Sequence, residues 1–294
     1  MNGVIVIDKP SGLTSHDVVN RVRRILGQRS VGHLGTLDPS ATGVLPIVAG
    51  NLTRLAQFYV HSEKTYEGTI RFGFATDTYD AEGEPTTPPQ EVCLNLSEVR
   101  ALATQFRGTI QQMPPPFSAK KIAGVPAYKL ARNHKEVTLQ PVQVEIKEFE
   151  ILAVTADQAS FRARVASGTY IRSVAHEMGQ KLGCGAHLAT LRRTAVAEFT
   201  SEDAHSLDAL QDAMQQGTVE SLFVHPRKLV PQLPCVTATE ESVALIRSGR
   251  AVNLPEMSRA PQVKVFYGQR DLICIATRVA GTLFHPGIVF ASEN

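Results

Sequence analysis

Apolar and polar residues alternate with a period of two along several stretches, which is the pattern of strands with one buried face. In residues 66–74, aromatic residues, glycine and isoleucine occupy every second position, with mostly charged or polar residues between them. The same alternation in residues 142–152 and 159–165 predicts a hairpin. Residues 3–8 predict a short buried strand, whereas a proline interrupts residues 44–48, which we expect to form a loop leading into an irregular strand.

Apolar residues three and four positions apart predict helices in other parts of the chain. Ser15 is the expected N-cap of the first helix, and glycines at 108 and 183 are expected to end two later ones. The predicted helices cover residues 17–26, 53–60, 96–107, 171–182, 207–214 and 240–247. A further short strand is expected at residues 195–199.

The pattern changes after Pro231 and Pro234, where short strands separated by Gly- and Pro-containing turns replace the mixture of helices and strands. A chain of 294 residues is also longer than one hydrophobic core usually organises. We therefore expect a large α/β domain at residues 1–233 and a small β-barrel at residues 234–294.

Composition limits the class of protein without identifying it. Hydrophobic residues make up 43% of the chain and charged residues 20%, which is typical of a folded globular protein. The longest apolar stretches, such as residues 43–50, are much shorter than the roughly 20 residues that cross a bilayer, so we expect a cytoplasmic protein without a membrane partner. A formal net charge of +2 neither requires nor excludes a nucleic-acid partner.

Common cofactor and metal motifs are missing from the sequence. The four cysteines form no Cys-x-x-Cys pair, and we expect them to be buried free thiols. No phosphate-binding Walker loop or dinucleotide-binding Gly-x-Gly-x-x-Gly is present, and His176-Glu177 lacks the second histidine of a zinc protease helix. An enzyme with this sequence is expected to need no cofactor and no metal for its chemistry.

The densest group of candidate residues is 32–47, Gly-His-Leu-Gly-Thr-Leu-Asp-Pro-Ser-Ala-Thr-Gly-Val-Leu-Pro-Ile. By residue type alone, Asp38 is more readily the cap of a turn than a catalytic group. The run nevertheless resembles the signature of the bacterial tRNA pseudouridine synthase B family. The resemblance continues in the order that the family shows, through residues 64–73, 114–121, 167–173 and 191–194.

The resemblance implies a fold and a reaction. The fold is α+β, the pseudouridine synthase fold, with a mixed, largely antiparallel central sheet flanked by helices and a small C-terminal PUA-like β-barrel. The implied reaction is the isomerisation of uridine 55 in the T-arm of tRNA to pseudouridine. The N1–C1′ bond breaks, the base turns, and the base rejoins the sugar through C5.

The resemblance also assigns roles to residues of this chain. Asp38 is the nucleophile, and its point of attack, at C1′ of the sugar or C6 of the base, stays open. Arg172 pairs with Asp38, and Tyr66 stacks on the base and is a candidate for the final proton transfer. Tyr170 and Leu191 match positions that line the base pocket, although a plain core role for Leu191 is nearly as well supported by its residue type.

The remaining assignments concern RNA binding. His33 matches a histidine that contacts the unstacked nucleotides once the target base has flipped out. Residues 112–140, rich in prolines, aromatics and cations, are typical of an exposed arm that grips a polyanion, although a solvated loop and helix fits the composition equally well. The expected phosphate contacts are Lys64, Lys120, Lys121, Arg192 and Arg193.

Two other functions are compatible with parts of the pattern. One is a subunit of a guide-RNA-dependent pseudouridine synthase, which shares the aspartate motif but works with accessory proteins. The other is a non-catalytic tRNA-binding or tRNA-folding protein that uses the same cleft. The stand-alone enzyme, a monomer with tRNA as its partner and no required protein partner, is the main prediction.

Overall fold

The computed structural model describes residues 1–117, 121–122, 125–126 and 139–290. Within these ranges, no helix combines the length and the apolar character needed to cross a membrane. Two sheets account for nearly all of the described strands, and a short hairpin of residues 121–122 paired with 125–126 stands apart from both.

The first sheet is mixed and contains ten strands among the described residues. Across it, strands run in the order β12-β1-β3-β10-β4-β9-β8-β5, with β2 beside β3 and β11 beside β10. Neighbours are antiparallel except β1–β12 and β3–β10. The strands, with β6 and β7 forming the separate hairpin, are β1 (Gly3–Lys9), β2 (Val31–His33), β3 (Thr42–Ala49), β4 (Lys64–Phe72), β5 (Gly108–Gln112), β6 (Lys121–Ile122), β7 (Val125–Pro126), β8 (Val142–Thr155), β9 (Gln158–Val165), β10 (Ala186–Val196), β11 (Phe199–Thr200) and β12 (Ala204–His205).

The helices agree well with the predicted ones, with small differences at their ends. The first begins at Ser15, and Thr14 rather than Ser15 is its N-cap, in a capping box with Asp17. The stretch predicted at 53–60 is a 3-10 helix, Gly50–Phe58. Among the described residues, the α-helices are α1 (Ser15–Leu26), α2 (Leu96–Thr104), α3 (Ile171–Leu182), α4 (Leu207–Gln215) and α5 (Glu240–Arg247), and further 3-10 turns occur at Ser201–Asp203, Val219–Leu222 and Pro226–Lys228.

The central strands differ most from the predictions. β10 was expected only at residues 195–199, but it spans Ala186–Val196 between β3 and β4, and Ala197 turns the chain with φ 50°. Two register shifts against β4 interrupt the alternation of apolar and polar residues by which a strand is predicted from sequence. β3 is continuous through Pro46, which falls between the stretches of β3 that pair with β10 and with β2.

The C-terminal part forms a five-stranded sheet that curls into a half-barrel, in the order β13-β15-β16-β17-β14, with α5 packed against it. One hydrophobic cluster joins the two sheets and includes Val4 and Leu55 together with Phe266 and Phe290. The strands are β13 (Cys235–Thr237), β14 (Val252–Asn253), β15 (Gln262–Tyr267), β16 (Asp271–Ala280) and β17 (Leu283–Val289). A division into domains at residue 233 stays a prediction.

The cysteines correct one expectation from the sequence. All four lie within the described residues and are free thiols, but only Cys274 is buried. Cys93 and Cys235 are exposed and Cys184 is partly exposed. Cys93 lies between β4 and α2 and Cys235 begins β13, and at both places the chain is at the surface.

Candidate active site

A cavity of about 430 Å³ opens beside the middle strands of the first sheet. The pairing of β4 with β10 places Tyr66 opposite Arg193 and Gly68 opposite Leu191, so residues far apart in sequence meet there. The predicted site residues that line it are His33, Asp38, Lys64, Tyr66, Tyr170, Arg172 and Leu191.

Asp38 lies in the loop between β2 and β3, and this loop is held on both sides of the carboxylate. Before it, the amide of Leu37 donates to Ser15 Oγ at 2.8 Å. After it, the carbonyl of Pro39 accepts from the amide of Gly12 at 2.9 Å and from Lys9 Nζ at 3.0 Å. These bonds fix the backbone of Asp38 against α1 and the end of β1.

Lys9 is fully buried and, among the described residues, has no carboxylate partner within hydrogen-bond distance. Its Nζ also donates to the carbonyls of Pro10 and Leu13, at 2.9 and 2.6 Å. Burial lowers the pKa of Lys9 to about 8, while the charge of Asp38 opposes that shift. Lys9 was not among the predicted site residues, because nothing in the Asp-Lys-Pro turn distinguishes it from a surface lysine.

Arg172, in the first turn of α3, makes the central ion pair of the site. Its Nε lies 2.9 Å from Asp38 Oδ2, and its side chain is only 7% exposed, against 39% for Asp38. Nη1 contacts Asp80 Oδ2 at 3.4 Å and the carbonyl of Thr78 at 3.1 Å, and Nη2 donates to the carbonyl of Phe117 at 3.1 Å. Asp80 and two backbone carbonyls thus hold Nη1 and Nη2 of the guanidinium, while Asp38 stays open to the cavity.

Asp80 was not among the predicted site residues. Its carboxylate is 9% exposed and accepts from Thr78 Oγ1 at 2.5 Å and from the amide of Glu82 at 3.1 Å. The sequence offers no way to separate Asp80 from Asp77 in the same polar turn, because only its contact with Arg172 makes it special.

Arg193 corrects one of the predicted phosphate contacts. Its side chain is completely buried, and its guanidinium donates to the carbonyls of Val44, Thr36 and Gly35 at 2.8 to 3.0 Å. A phosphate cannot reach it there, because it lies on a central strand under the loop that carries Asp38. It also interacts with the side chain of Tyr66, which is 8% exposed.

The other walls of the cavity are fixed by nearby backbone contacts. Gln112 is fully buried, and its amide both accepts from the Tyr170 N–H at 2.9 Å and donates to the Tyr170 carbonyl at 3.1 Å. His33 Nδ1 accepts from the amide of Gly35 at 3.3 Å. Burial, and secondarily the charge of Arg193, lower the pKa of His33, so its ring is neutral near pH 7.

The remaining predicted cations differ in their surroundings. Lys64 Nζ donates to the carbonyl of Ser62 at 2.8 Å, and burial together with Arg193 lowers its pKa to about 8. Arg192 forms a two-pronged ion pair with Asp8 at 2.9 and 3.0 Å and stays 42% exposed. Lys120, the side chain of Lys121 and most of the predicted arm lie outside the described residues.

Comparison with known proteins places this arrangement in a family. Residues 23–171 match the model of the TruB family pseudouridylate synthase N-terminal domain. Residues 172–231 match the tRNA pseudouridylate synthase B C-terminal domain. The chain belongs to the TruB family of pseudouridylate synthases. The resemblance found in the sequence motifs is therefore confirmed.

Curated relatives support the TruB assignment over nearly the full chain. A protein of Solibacter usitatus named tRNA pseudouridine synthase B is 47% identical over 98% of this chain and 100% of its own length. Proteins of the same name from Opitutus terrae and Bacillus cereus are 45% and 39% identical over 79% and 90% of this chain, and over 96% and 89% of their own lengths.

Solved structures confirm the fold. An H/ACA ribonucleoprotein bound to a substrate RNA containing 2'-deoxyuridine has a chain with a TM-score of 0.73 at 24% identity, over 99% of this chain and 85% of that one. A chain of an archaeal box H/ACA complex gives 0.70 at 26% identity, over 98% and 86%. The predicted fold class, a mixed, largely antiparallel sheet with a small C-terminal β-domain, is thus confirmed for this TruB member.

Proposed function

We propose that this TruB-family isomerase converts uridine 55 in the T-arm of tRNA to pseudouridine, with Asp38 as the nucleophile. The relatives named tRNA pseudouridine synthase B support tRNA pseudouridine synthesis as the reaction. The observation that carries the choice of residue is the 2.9 Å ion pair between Asp38 and Arg172 at the wall of the cavity.

A carboxylate suits this chemistry because it is ionised at neutral pH without a helper base. Asp38 either adds to C6 of the base or forms a bond to C1′ as the N1–C1′ bond breaks. Arg172 keeps the carboxylate aimed, since its other donors are occupied by Asp80 and backbone carbonyls. The remaining exposure of Asp38 leaves it accessible to a nucleoside in the cavity.

The detached uracil has to be retained, turned and deprotonated at C5. The cavity volume of about 430 Å³ lies in the range of small-molecule pockets, about 300–1,000 Å³. Tyr66, Tyr170 and Leu191 supply aromatic and aliphatic walls that hold the free base. The Tyr66 side chain interacts with the Arg193 guanidinium, and we propose that its hydroxyl relays the C5 proton to solvent, releasing its own proton as it takes the one from C5.

RNA binding completes the proposal. A neutral His33 ring at the cavity is suited to stacking on nucleotides left unpaired when the target base flips out. Lys64 and Arg192 are the described cations that we propose for phosphate contacts, with Lys120 and Lys121 of the arm. The enzyme is proposed to act as a monomer on tRNA, without a protein partner.

The test uses purified full-length protein, a tRNA transcript tritiated at uridine C5, and a chelator. The expected result is release of one tritium per tRNA, no release by Asp38→Asn, and retained tRNA binding by that variant. Asp212→Asn, an exposed change on α4, is the matched control and is expected to release tritium like the native protein.

Three other outcomes would contradict the proposal. Release that required an added guide RNA or protein would indicate a subunit of a guided synthase. Binding of tRNA without any release would indicate a binding or folding protein. Release from a uridine other than 55, located by sequencing the product, would overturn the proposed target.

A further inference from the structure

The proposed function depends on Arg172 being held still behind Asp38, and a short polar turn supplies much of that support. The turn lies between β4 and α2, at residues 77–84. Two of its residues contact Nη1 of Arg172, namely Thr78 through its carbonyl at 3.1 Å and Asp80 through Oδ2 at 3.4 Å. Whatever fixes the backbone between these residues therefore fixes the donors of Arg172.

Tyr79 stands between them in an unusual backbone conformation. Its φ is 65°, in the left-handed region, which is strained for a bulky side chain that is not glycine. Such a conformation persists only where the surroundings stabilise it. The backbone of the turn is pinned to β10, because the amide of Leu188 donates to the Tyr79 carbonyl at 2.9 Å and Ala81 donates to the Leu188 carbonyl at 3.1 Å.

The Tyr79 side chain supplies a second attachment, to α3. Its ring stacks on His176, with 3.8 Å between the ring centroids and 13° between the planes. His176 lies one helical turn after Arg172 on α3, so the stack ties the turn to the helix that carries the arginine. His176 Nδ1 is buried without a hydrogen-bond partner among the described residues, and burial lowers the pKa of the ring. A neutral ring held by the stack, and by the 3.0 Å contact of its Nε2 with Gln180 Nε2, fits both observations.

The geometry points to the Tyr79–His176 stack as a positioning pair that locks the turn so that Thr78 and Asp80 face Arg172. This inference rests on the proposed function, since it concerns the rate of the step that Asp38 performs. Neither ring lines the active cavity, so the pair acts through Arg172 and not on the target base.

The test exploits the left-handed conformation of residue 79. Glycine adopts φ 65° without strain, so Tyr79→Gly removes the ring while keeping the backbone conformation accessible. Tyr79→Phe keeps the ring and is the matched control. His176→Ala removes the other half of the stack, and His176→Phe restores an aromatic face. Tritium release at saturating tRNA gives kcat, and filter binding gives the Kd for tRNA.

We expect kcat to fall about tenfold or more in Tyr79→Gly and in His176→Ala, because a displaced catalytic group reduces rate steeply. The Kd for tRNA should stay within about twofold, both Phe variants should keep kcat near the native value, and the double variant should be no slower than the slower single one. A merely structural role would lower the melting temperature without this split between kcat and Kd.

Native kcat in Tyr79→Gly would overturn the inference, because the backbone bridge to β10 would then suffice. A rise in Kd that matched the loss of kcat would also overturn it, by assigning the pair to RNA binding. Absence of tritium release from the native protein is a separate result, which contradicts the proposed function itself.

Discussion

Most charged side chains of the site are paired with other protein groups. Asp38 and Asp80 both pair with Arg172, and Lys9 and Arg193 hold the surrounding loops through carbonyl oxygens rather than carboxylates. Lys9 and Arg193 are fully buried, so they position the chain but are unavailable to RNA. Lys64 differs, because it lines the cavity and donates to only one carbonyl among the described residues.

Lys64 leads to a prediction about pH. Burial and Arg193 lower its pKa to about 8, so the free protein carries this charge below pH 8 and loses it above. Phosphate binds the charged form, so the contribution of Lys64 to tRNA affinity should be full at pH 7 and should decline as the pH rises through 8. We expect the ratio of Kd between Lys64→Met and the native protein to be largest at pH 7 and to shrink by pH 9.

The measurement is filter binding from pH 6.5 to 9 at constant salt. Taking a ratio of two proteins cancels the titration of groups that both share. Lys64→Arg is the control, because arginine stays charged over this range and should keep its Kd nearly constant relative to Lys64→Met. A ratio that did not change between pH 7 and 9 would contradict a phosphate contact by Lys64.

Among the elements, β10 joins the two halves of the first sheet. It pairs with β4 along its length and with β3 only at Arg192–Thr42 and Arg193–Gly43. The approach at the second pair is very close. A Cβ on residue 43 would lie 2.2 Å from the carbonyl oxygen of Arg193, and φ at Gly43 is 100°. Glycine is therefore needed at this position both for space and for conformation.

Gly43→Ala is expected to destabilise the protein by about 3 kcal/mol or more, because backbone atoms must separate and a central strand pairing is lost. The free energy of unfolding from urea titration measures the loss. Gly217→Ala is the matched control, since φ there is 71° but nothing lies within 4 Å of the added Cβ. It should cost only about 1 kcal/mol. Equal losses in the two variants would contradict the steric argument.

Two kinds of contact join the C-terminal sheet to the sheet that carries the site. Besides the shared hydrophobic cluster, a buried polar contact lies at the junction. The Tyr59 hydroxyl donates to Glu198 Oε1 at 2.5 Å, and the amide of Val230 donates to the Tyr59 hydroxyl at 2.9 Å and to Glu198 at 3.0 Å. Burial and the negative charge of Glu198 raise the pKa of Tyr59, so the hydroxyl keeps its proton.

Tyr59→Phe is expected to lower the free energy of unfolding by about 1–2 kcal/mol, because it removes a hydroxyl that both donates and accepts within a buried network. Val230 has φ 51°, so the network also holds a strained residue of the connecting segment. Denaturant unfolding measures the change. The control is Tyr267→Phe, at an exposed tyrosine, which should leave stability unchanged. An equally small effect at Tyr59 would show that the junction depends on apolar packing alone.

Elements with strong local periodicity could be predicted from the order of residues alone. α3 at 171–182 and α5 at 240–247 begin and end at the predicted residues, because apolar spacing acts over a few residues. The caps that follow are equally local, namely left-handed Gly183 after α3 and Ser248 after α5. Ordered motifs also determined the family, and seven of the predicted site residues line one cavity. Their individual catalytic and binding roles stay predictions.

Which polar residues support the site and which face the cavity depends on contacts between distant parts of the chain. Asp80 and Asp77 look alike in sequence, as do Arg192 and Arg193, yet in each pair one side chain is buried and the other is partly or fully exposed. The reason is that β10 and the turn at 77–84 are defined by partners more than 90 residues away, and such contacts leave no local period. Burial and charge pairing at the site follow from those distant contacts.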